Sequence, residues 1–272
     1  MTMHYLERPT LYLLAAIVIT LASCKATSPE ATTEAAVGSR PDVIPITTDD
    51  RRYGDLIFED HFERSESQET KDEPGNGWTT SSDPQKNGAK NVDLRDGTLH
   101  IATPEGAGHG ISVRHGFSFK DGTVSVRVKF QDNNDRLRLN FADVPPENVG
   151  VNHLGAKHLF DAIITLDRIS FEDKIGGVLS PGIRENRAKG TLTKVQKKFL
   201  ATKYKVFRHK LEPDTWYTFA VHLDGDRISA HLDDNYIGEL RSSGFGNPTK
   251  TLMRMLVRST VTIDDFMVWR RK

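Results

Sequence analysis

The stretch Thr123-Val-Ser-Val-Arg-Val-Lys-Phe130 decides the fold class of this chain. Its apolar and polar residues alternate, so the three valines and Phe130 share one face of a strand. The segment Arg136-Leu-Arg-Leu-Asn-Phe141 repeats the alternation after a polar turn at 132–135. The two segments together predict an antiparallel hairpin with one buried face.

The same pattern continues toward the C-terminus. Trp216 to Leu223 and Asp226 to Leu232 alternate around the turn Asp224-Gly225, and a final strand runs from Val261 to Trp269. Many short strands separated by turns are typical of a sandwich or barrel. We therefore predict an all-β, two-sheet antiparallel sandwich. The residues expected in its core are Val124, Val126, Leu137, Leu139, Phe219, Val221 and Ile228.

One segment departs from the β pattern. Thr193-Lys-Val-Gln196 fits a capping box, in which the threonine hydroxyl and the glutamine amide satisfy amides at a helix start. Leu192, Val195 and Phe199, with Ala188 upstream, lie at helical spacing. We expect a short inserted helix from about 193 to 202, packed through that stripe.

Composition limits the functional classes. The 272 residues include 37 Lys+Arg and 37 Asp+Glu, so the formal net charge is zero. General nucleic-acid binders carry a cationic excess, and we therefore expect no nucleic-acid partner. Cys24 is the single cysteine, so the chain forms no intrachain disulfide and its core must hold the fold.

The N-terminal segment predicts export to the cell envelope. Its apolar run, 11–23, is shorter than the roughly 20 residues of a membrane-spanning helix. Leu21-Ala-Ser-Cys24 resembles the bacterial lipoprotein box, in which the cysteine thiol receives a diacylglycerol. We expect a signal peptide at 1–23, lipid attachment at Cys24, a flexible tether at 24–52 and a folded domain at 53–272.

The predicted location is the bacterial cell envelope. Lys25 follows the cysteine, which resembles an outer-membrane sorting signal, and the lipid anchor would be the protein's contact with the membrane. The alternative is a plain secretory signal followed by an incidental cysteine.

Several segments together resemble the concanavalin A-like lectin/glucanase jelly roll. They are Leu56-Ile-Phe-Glu-Asp-His-Phe62, Gly75-Asn-Gly-Trp78, Asp96-Gly-Thr-Leu-His-Ile101, Phe119-Lys-Asp-Gly-Thr-Val-Ser-Val126 and Ile263-Asp-Asp-Phe-Met-Val-Trp269. Their order is most similar to the 3-keto-disaccharide hydrolase-type domains of secreted bacterial lipoproteins. The resemblance implies a jelly-roll sandwich and an association with carbohydrate. No catalytic residue can be assigned from the resemblance, because the Glu-x-Asp-x-x-Glu strand of family 16 glucanases is absent from the sequence.

The outward positions of the predicted hairpins carry candidate ligand-binding side chains. If the strands share one concave sheet, guanidinium, amide and imidazole groups there would suit carboxylate or sulfate groups on a sugar chain. The alternative is a solvated outer face whose charges prevent association between sheet edges. The candidate residues are Arg127, Arg138, Asn140, His222 and His231.

Two further groups of charged residues could bind ions or ligands, or could have a purely structural role. Glu59 and Asp60 of the first strand, with Asp264 and Asp265 of the last, could hold a structural Ca²⁺ of the kind found in this superfamily. Residues 184–210 contain ten lysines and arginines and one acid, a local charge of +9. That stretch could bind an anionic polysaccharide or a membrane phosphate, or it could pair with the acidic stretch at 59–73.

The sequence therefore leaves three functions in competition. The first is a lipid-anchored envelope protein whose β-sandwich binds carbohydrate, with anionic glycans as the expected ligands. The second is a glycoside hydrolase or lyase of the 3-keto-disaccharide hydrolase type, with His222, His231 or an unassigned carboxylate as acid or base. The third is a structural or protein-binding envelope lipoprotein.

Overall fold

Two antiparallel sheets form the described part of the chain. The computed structural model describes residues 53–81, 90–148 and 155–272, and the predicted signal peptide, Cys24 and the tether lie outside these ranges. The eight-stranded sheet contains β1 (Asp55–Asp60), β3 (Val92–Arg95), β4 (Thr98–Ala102), β6 (Asp121–Lys129), β11 (Trp216–Asp224), β12 (Arg227–Leu232), β13 (Asn235–Arg241) and β15 (Thr260–Arg271). The seven-stranded sheet contains β2 (Thr79–Thr80), β5 (Ile111–Phe119), β7 (Leu137–Asp143), β8 (Lys157–Ile164), β9 (Arg168–Asp173), β10 (Tyr204–Arg208) and β14 (Lys250–Val257).

The order of strands places the last two strands of the chain at the centres of the sheets. The eight-stranded sheet has the order β13-β12-β11-β6-β15-β4-β3, with β1 also paired to β15. The seven-stranded sheet has the order β10-β9-β8-β7-β14-β5-β2. β1 pairs with β15, so the first and last strands of the described residues are neighbours, as the predicted Ca²⁺ site at 59–60 and 264–265 requires. The all-β, two-sheet antiparallel sandwich is confirmed.

The core lies between the sheets and follows the period-two pattern. The seven residues predicted to be buried are all fully inaccessible to solvent. Alternate side chains of each strand therefore point into the core, and their neighbours point to the outer surface. The predicted hairpin of β11 and β12 is also confirmed, with Val221 opposite Ala230 and Leu223 opposite Ile228.

The first predicted hairpin is wrong. β6 belongs to the eight-stranded sheet and β7 to the seven-stranded sheet, so the turn between them crosses the sandwich. The buried carboxylate of Asp135 holds this crossing, because it accepts hydrogen bonds from the amides of Gln131 at 2.7 Å, Asp132 at 3.0 Å and Thr260 at 3.1 Å. Both arrangements bury the same alternate residues, so alternation alone could not distinguish them.

The insertion between β9 and β10 contains more helix than predicted. A π-helical turn at Lys174–Val178 packs against β8, and two α-helices follow, α1 (Ile183–Ala188) and α2 (Lys194–Ala201). The capping box of α2 is confirmed in both directions between Thr193 and Gln196, with bonds of 3.0 and 3.1 Å. α1 follows Gly182 without a side-chain cap, so it lacks the N-terminal signature from which α2 was predicted.

The predicted packing stripe of α2 is wrong. Val195 is 78% exposed and Phe199 is 42% exposed. Leu200 is only partly exposed and reaches the vicinity of Gly177 in the turn at Lys174–Val178. The helix therefore packs through a neighbouring face. Among the residues that the structure describes, no helix has the length and hydropathy needed to cross a membrane.

Candidate functional site: an arginine-lined face

The outer surface of the seven-stranded sheet carries a row of polar residues on four neighbouring strands. Arg114 of β5 lies opposite Arg254 of β14, which lies opposite Asn140 of β7, which lies opposite Asp161 of β8. Residues directly opposite on paired strands have their side chains about 5 Å apart. Arg254, Asn140 and Asp161 each lie between two core residues of their strands, and Arg114 follows the core residue Val113, so the four side chains project from the same face.

Further arginines extend this row along the sheet. Arg138 lies two positions from Asn140 on β7, and Arg136 and Arg258 flank the ends of β7 and β14. We call the following five residues the arginine face: Arg114, Arg136, Arg138, Arg254 and Arg258. All five line a cavity of about 280 Å³. Arg136 and Arg258 also line an adjoining cavity of about 470 Å³, which Arg168 and Asp167 complete.

The arginine face holds a local excess of positive charge. Within the described residues, Arg136, Arg254 and Arg258 form no ion pair with a carboxylate. Burial lowers the pKa of Arg136, and the neighbouring guanidinium groups of Arg138 and Arg258 lower it further. Arginine nevertheless stays charged in proteins. The face is thus suited to attract anions and to bind them in bidentate fashion.

A buried carboxylate organises the centre of the face. Asp161 is fully buried, and it accepts a hydrogen bond of 2.6 Å from Nδ2 of Asn140. Its other oxygen lies 2.7 Å from Nζ of Lys174 and 3.3 Å from Nη1 of Arg138. A buried carboxylate is stable only with such partners, and here they come from β7 and from the insertion.

His158 completes this polar group at the start of β8. Its Nδ1 lies 2.8 Å from Oδ1 of Asn140, and its Nε2 lies 3.5 Å from Nη1 of Arg254. Burial lowers the pKa of His158, and the positive charges of Arg254 and Lys174 lower it further. The imidazole is therefore neutral at pH 7.

The five predicted ligand-binding residues do not share one surface. Arg138 and Asn140 lie on the seven-stranded sheet, whereas Arg127, His222 and His231 lie on the eight-stranded sheet. The outer surfaces of the two sheets face away from each other, so a single groove cannot contain all five. The predicted grouping depended on the hairpin of β6 and β7, which the structure does not contain.

The three residues on the eight-stranded sheet have partners of their own. Nη1 of Arg127 lies 3.3 Å from Asp264 and 3.2 Å from Asp265. Nδ1 of His222 lies 2.8 Å from the hydroxyl of Thr123, and the rings of His222 and His231 meet edge to face at 4.6 Å. The two histidines border a cavity of about 240 Å³.

The carboxylates of the predicted Ca²⁺ site are held by groups of the protein. Asp60 accepts hydrogen bonds from Arg64 and Trp78, each at 2.7 Å. Asp264 and Asp265 share Arg127, and Asp265 also lies 2.6 Å from Nδ1 of His61. Glu59, the fourth residue of the predicted site, lies 3.5 Å from Nε2 of the same histidine. This arrangement does not favour the predicted Ca²⁺ site.

A different acidic cluster has closely spaced oxygens. Within the described residues, Glu66, Glu69 and Asp93 have carboxylate oxygens within 4.8 Å of one another. The ammonium group of Lys90 contacts all three, with its shortest contact to Glu66. A side-chain cation thus already balances this cluster.

The ion pairs observed among the described residues do not join the basic stretch at 184–210 to the acidic stretch at 59–73. Within the described residues, the ion pairs of the acidic stretch are made with His61, Arg64 and Lys90. The pairs of the basic stretch go instead to Asp173, Asp167 and Glu212. The predicted internal compensation is therefore not observed, and the cations of α1 and α2 remain at the surface.

Several residues of the site were not recognised in the sequence. Arg114 and Arg254 occupy outward positions of β5 and β14, and a comparison of outward arginines across alternating segments would have selected them with Arg138. His158 and Asp161 gave no such signal. Their role depends on which strands are neighbours, and the sequence does not contain that order.

Comparisons with known proteins support the fold. No protein-family model matches the chain, and no curated protein sequence matches it. A solved structure described as apo Crh5 transglycosylase is similar to 79% of this chain over 84% of its own length, with a TM-score of 0.50 and 9% identity. A laminarinase from Flavobacterium sp. UMI-01 covers 79% of this chain over 100% of its own, with a TM-score of 0.48 and 13% identity.

A carbohydrate-binding module, CBM66 from Bacillus subtilis, is similar to 70% of this chain over 93% of its own length, with a TM-score of 0.40 and 13% identity. At such low identities these similarities concern the fold alone. The described domain thus has the jelly-roll sandwich architecture that the sequence predicts. The more specific resemblance to 3-keto-disaccharide hydrolase-type domains stays a prediction.

Proposed function

We propose that the domain binds an acidic carbohydrate on the arginine face. The observation that carries this proposal is the presence of five arginines on one face of a sheet, around two adjoining cavities, with three of the five lacking an ion-pair partner within the described residues. A concentration of unpaired guanidinium groups is costly in a folded protein because like charges repel. An anionic ligand would offset that repulsion.

Carboxylate or sulfate groups on a sugar chain fit this chemistry. A planar guanidinium group binds such oxyanions through two parallel hydrogen bonds, and sugar hydroxyls can use the neighbouring Ser112 and Ser81. Structures with a similar fold include a carbohydrate-binding module, a laminarinase and a transglycosylase, which supports a sugar ligand by analogy of fold.

The proposed site revises the sequence prediction. It keeps Arg138 and Asn140 and adds the arginines of β5 and β14. Arg127, His222 and His231 lie on the opposite side of the sandwich and belong to a separate surface. The class of ligand, an anionic glycan, is unchanged.

Arg258→Ala tests the proposal directly. Arg258 is exposed and forms no ion pair with the described residues, so its removal should leave the unfolding temperature nearly unchanged while weakening the binding of an acidic glycan about tenfold. The matched control is Arg241→Ala, since Arg241 is an exposed arginine on β13 of the other sheet. Calorimetric titration of the full chain with alginate, polygalacturonate and heparin, at low and moderate salt, measures both variants.

Two outcomes would contradict the proposal. One is the absence of binding to every uronate or sulfated glycan at low salt. The other is equal weakening of binding by Arg258→Ala and Arg241→Ala, because that result would assign the affinity to net charge rather than to the arginine face. Weakening of binding by salt is expected, since partly exposed charges are screened.

We also propose that the mature chain is attached to the bacterial envelope through a lipid on Cys24. The sequence Leu21-Ala-Ser-Cys24 supports this part of the proposal, and Lys25 supports the outer membrane as the location. An enzymatic function, as a glycoside hydrolase or lyase, is the second candidate. The specific observation that favours it is the fixed orientation of His158 beside the arginines.

A further inference from the structure

We propose that His158 is the general base of a β-elimination that cleaves a 4-linked uronate chain on the arginine face. This inference rests on the proposed function, because the arginines must first bind the carboxylate of the uronate. It adds a reaction class and a catalytic residue. Three features carry it: the tautomer of His158, the position of its second nitrogen, and the carboxylates available in the cavities.

The tautomer of His158 follows from the buried carboxylate. The oxygen atoms of Asp161 accept hydrogen bonds, so the Asn140 side-chain atom that lies 2.6 Å away must be the amide nitrogen. The amide oxygen of Asn140 therefore faces His158, at 2.8 Å from Nδ1. An oxygen that only accepts requires Nδ1 to carry the proton. The lone pair of the neutral imidazole is thus on Nε2.

The lone pair faces Arg254 of the arginine face. Nη1 of Arg254, which lines the cavity of about 280 Å³, donates a hydrogen bond of 3.5 Å to Nε2 of His158. Arg254 must therefore turn toward the uronate carboxylate before Nε2 can accept a proton. The charged groups around the imidazole are Arg254 of β14, Arg138 of β7, Asp161 of β8 and Lys174 of the insertion. Three of these four are cations, and with burial they keep the pKa of His158 below 6.5. A neutral base is therefore present at pH 7.

The carboxylates around the two cavities are too few and too firmly paired for hydrolysis, which favours elimination. Glycoside hydrolysis normally uses two carboxyl groups on either side of the scissile bond. Asp167 is the one carboxylate residue among the described residues that line the two cavities, and it pairs with Arg168 and Arg208. Asp161 is fully buried and is held by Lys174 and Arg138. Arginines and a neutral histidine instead suit proton abstraction next to a bound carboxylate.

The proposed step is balanced without a cofactor. An arginine pairs with the carboxylate of the uronate, which makes the C5 proton more acidic, and Nε2 of His158 removes that proton. The electron pair of the C5–H bond forms a C4=C5 double bond, and the bond from C4 to the linking oxygen breaks. The imidazolium returns its proton to the departing oxygen. The products are a shortened chain and an unsaturated uronate that absorbs ultraviolet light.

The test combines a turnover assay with a binding assay. The full chain is incubated with alginate, polygalacturonate or chondroitin sulfate, and ultraviolet absorbance and glycan affinity are both measured. We expect absorbance to rise with at least one of these polymers. His158→Ala should lower the rate by about 10²-fold or more while glycan affinity changes less than about twofold, and added imidazole should restore part of the rate.

The matched control is His100→Ala. His100 lies on β4 of the eight-stranded sheet, and burial also lowers its pKa, but it is remote from the arginine face. This variant should keep the full rate. Equal loss of activity in His100→Ala and His158→Ala would overturn the assignment of the base.

The remaining outcomes separate this inference from the proposed function. Binding of the polymers without ultraviolet absorbance overturns the elimination and leaves the binding proposal intact. New reducing ends without absorbance would identify hydrolysis and also overturn it. Absence of both binding and turnover with all three polymers contradicts the elimination and, with the other glycans tested above, the binding proposal.

Discussion

Asn140 is the residue that connects the buried part of the site to its surface. Its amide nitrogen contacts Asp161 and its amide oxygen contacts His158, so a fully buried charge determines which imidazole nitrogen carries the proton. The sequence predicted Asn140 as a ligand-binding residue because it points outward from its strand. In the structure it is itself buried, and its contribution is to orient a neighbour.

His61 gives the domain a pH-dependent contact away from the arginine face. Its Nδ1 lies 2.6 Å from Oδ1 of Asp265, and this hydrogen bond raises the pKa of His61 above 6.5. A raised pKa means that folding takes up a proton. The stabilisation is complete below about pH 6.5 and is lost as the pH rises through the folded-state pKa.

We therefore expect the unfolding temperature to fall as the pH rises through that range, and His61→Gln to remove this part of the fall. Scanning fluorimetry at a series of pH values measures it. His100→Gln is the control, since the pKa of His100 is lowered and its contribution has the opposite sign. An identical pH profile for wild type and His61→Gln would contradict the expectation.

At the scale of elements, the crossing between β6 and β7 depends on one carboxylate. Asp135 is almost fully buried and accepts hydrogen bonds from the amides of Gln131, Asp132 and Thr260. Asp135→Ala should lower the free energy of unfolding by about 3 kcal/mol, because three backbone amides lose the buried carboxylate that accepts their hydrogen bonds. Urea unfolding followed by tryptophan fluorescence measures this change.

Asp132→Ala is the control for this prediction. Asp132 is exposed and accepts a hydrogen bond from the amide of Asn134 at 2.7 Å, so its removal should cost less than about 1 kcal/mol. Equal effects of the two substitutions would show that the crossing does not depend on Asp135.

Local sequence patterns predicted individual strands and helices better than they predicted which strands lie side by side. Alternation identified the buried faces of β6, β7, β11 and β12, and the capping box identified the start of α2. Each of these signals depends on residues close in sequence. The pairing of strands does not, because a strand with one apolar face can pack beside another strand or across the core from it. The arginine face combines β5, β7 and β14, so only the strand order reveals it.

At the scale of the whole molecule, the net charge is zero but positive and negative side chains are concentrated on different surfaces. The formal net charge of zero led us to expect no nucleic-acid partner, and it describes the whole chain rather than its separate surfaces. The arginine face and the surface cations of α1 and α2 lie apart from the acidic cluster around Lys90. A local field of this kind can select anionic ligands without a net positive charge.

The proposed anchor is a property of the whole chain. Cys24→Ala should remove the lipid and release the protein from the membrane fraction, because acyl chains supply the membrane affinity. Fractionation of cells that produce the tagged chain, with mass spectrometry of its N-terminal peptide, measures this outcome. Glycan binding by the released protein should be unchanged. A wild-type protein that is wholly released, with residue 24 unmodified, would contradict the proposal.

The central positions of β14 and β15 have a consequence for biogenesis. β15 lies between β6 and β4, and β14 lies between β7 and β5, so neither sheet can close before residues 250–271 have been synthesised. Until then the nascent chain exposes unpaired strand edges, and its native contacts span long sequence separations. Folding is therefore slow and late. We expect a chain with this topology to stay extended long enough for the proposed export, with aggregation as its main hazard during that time.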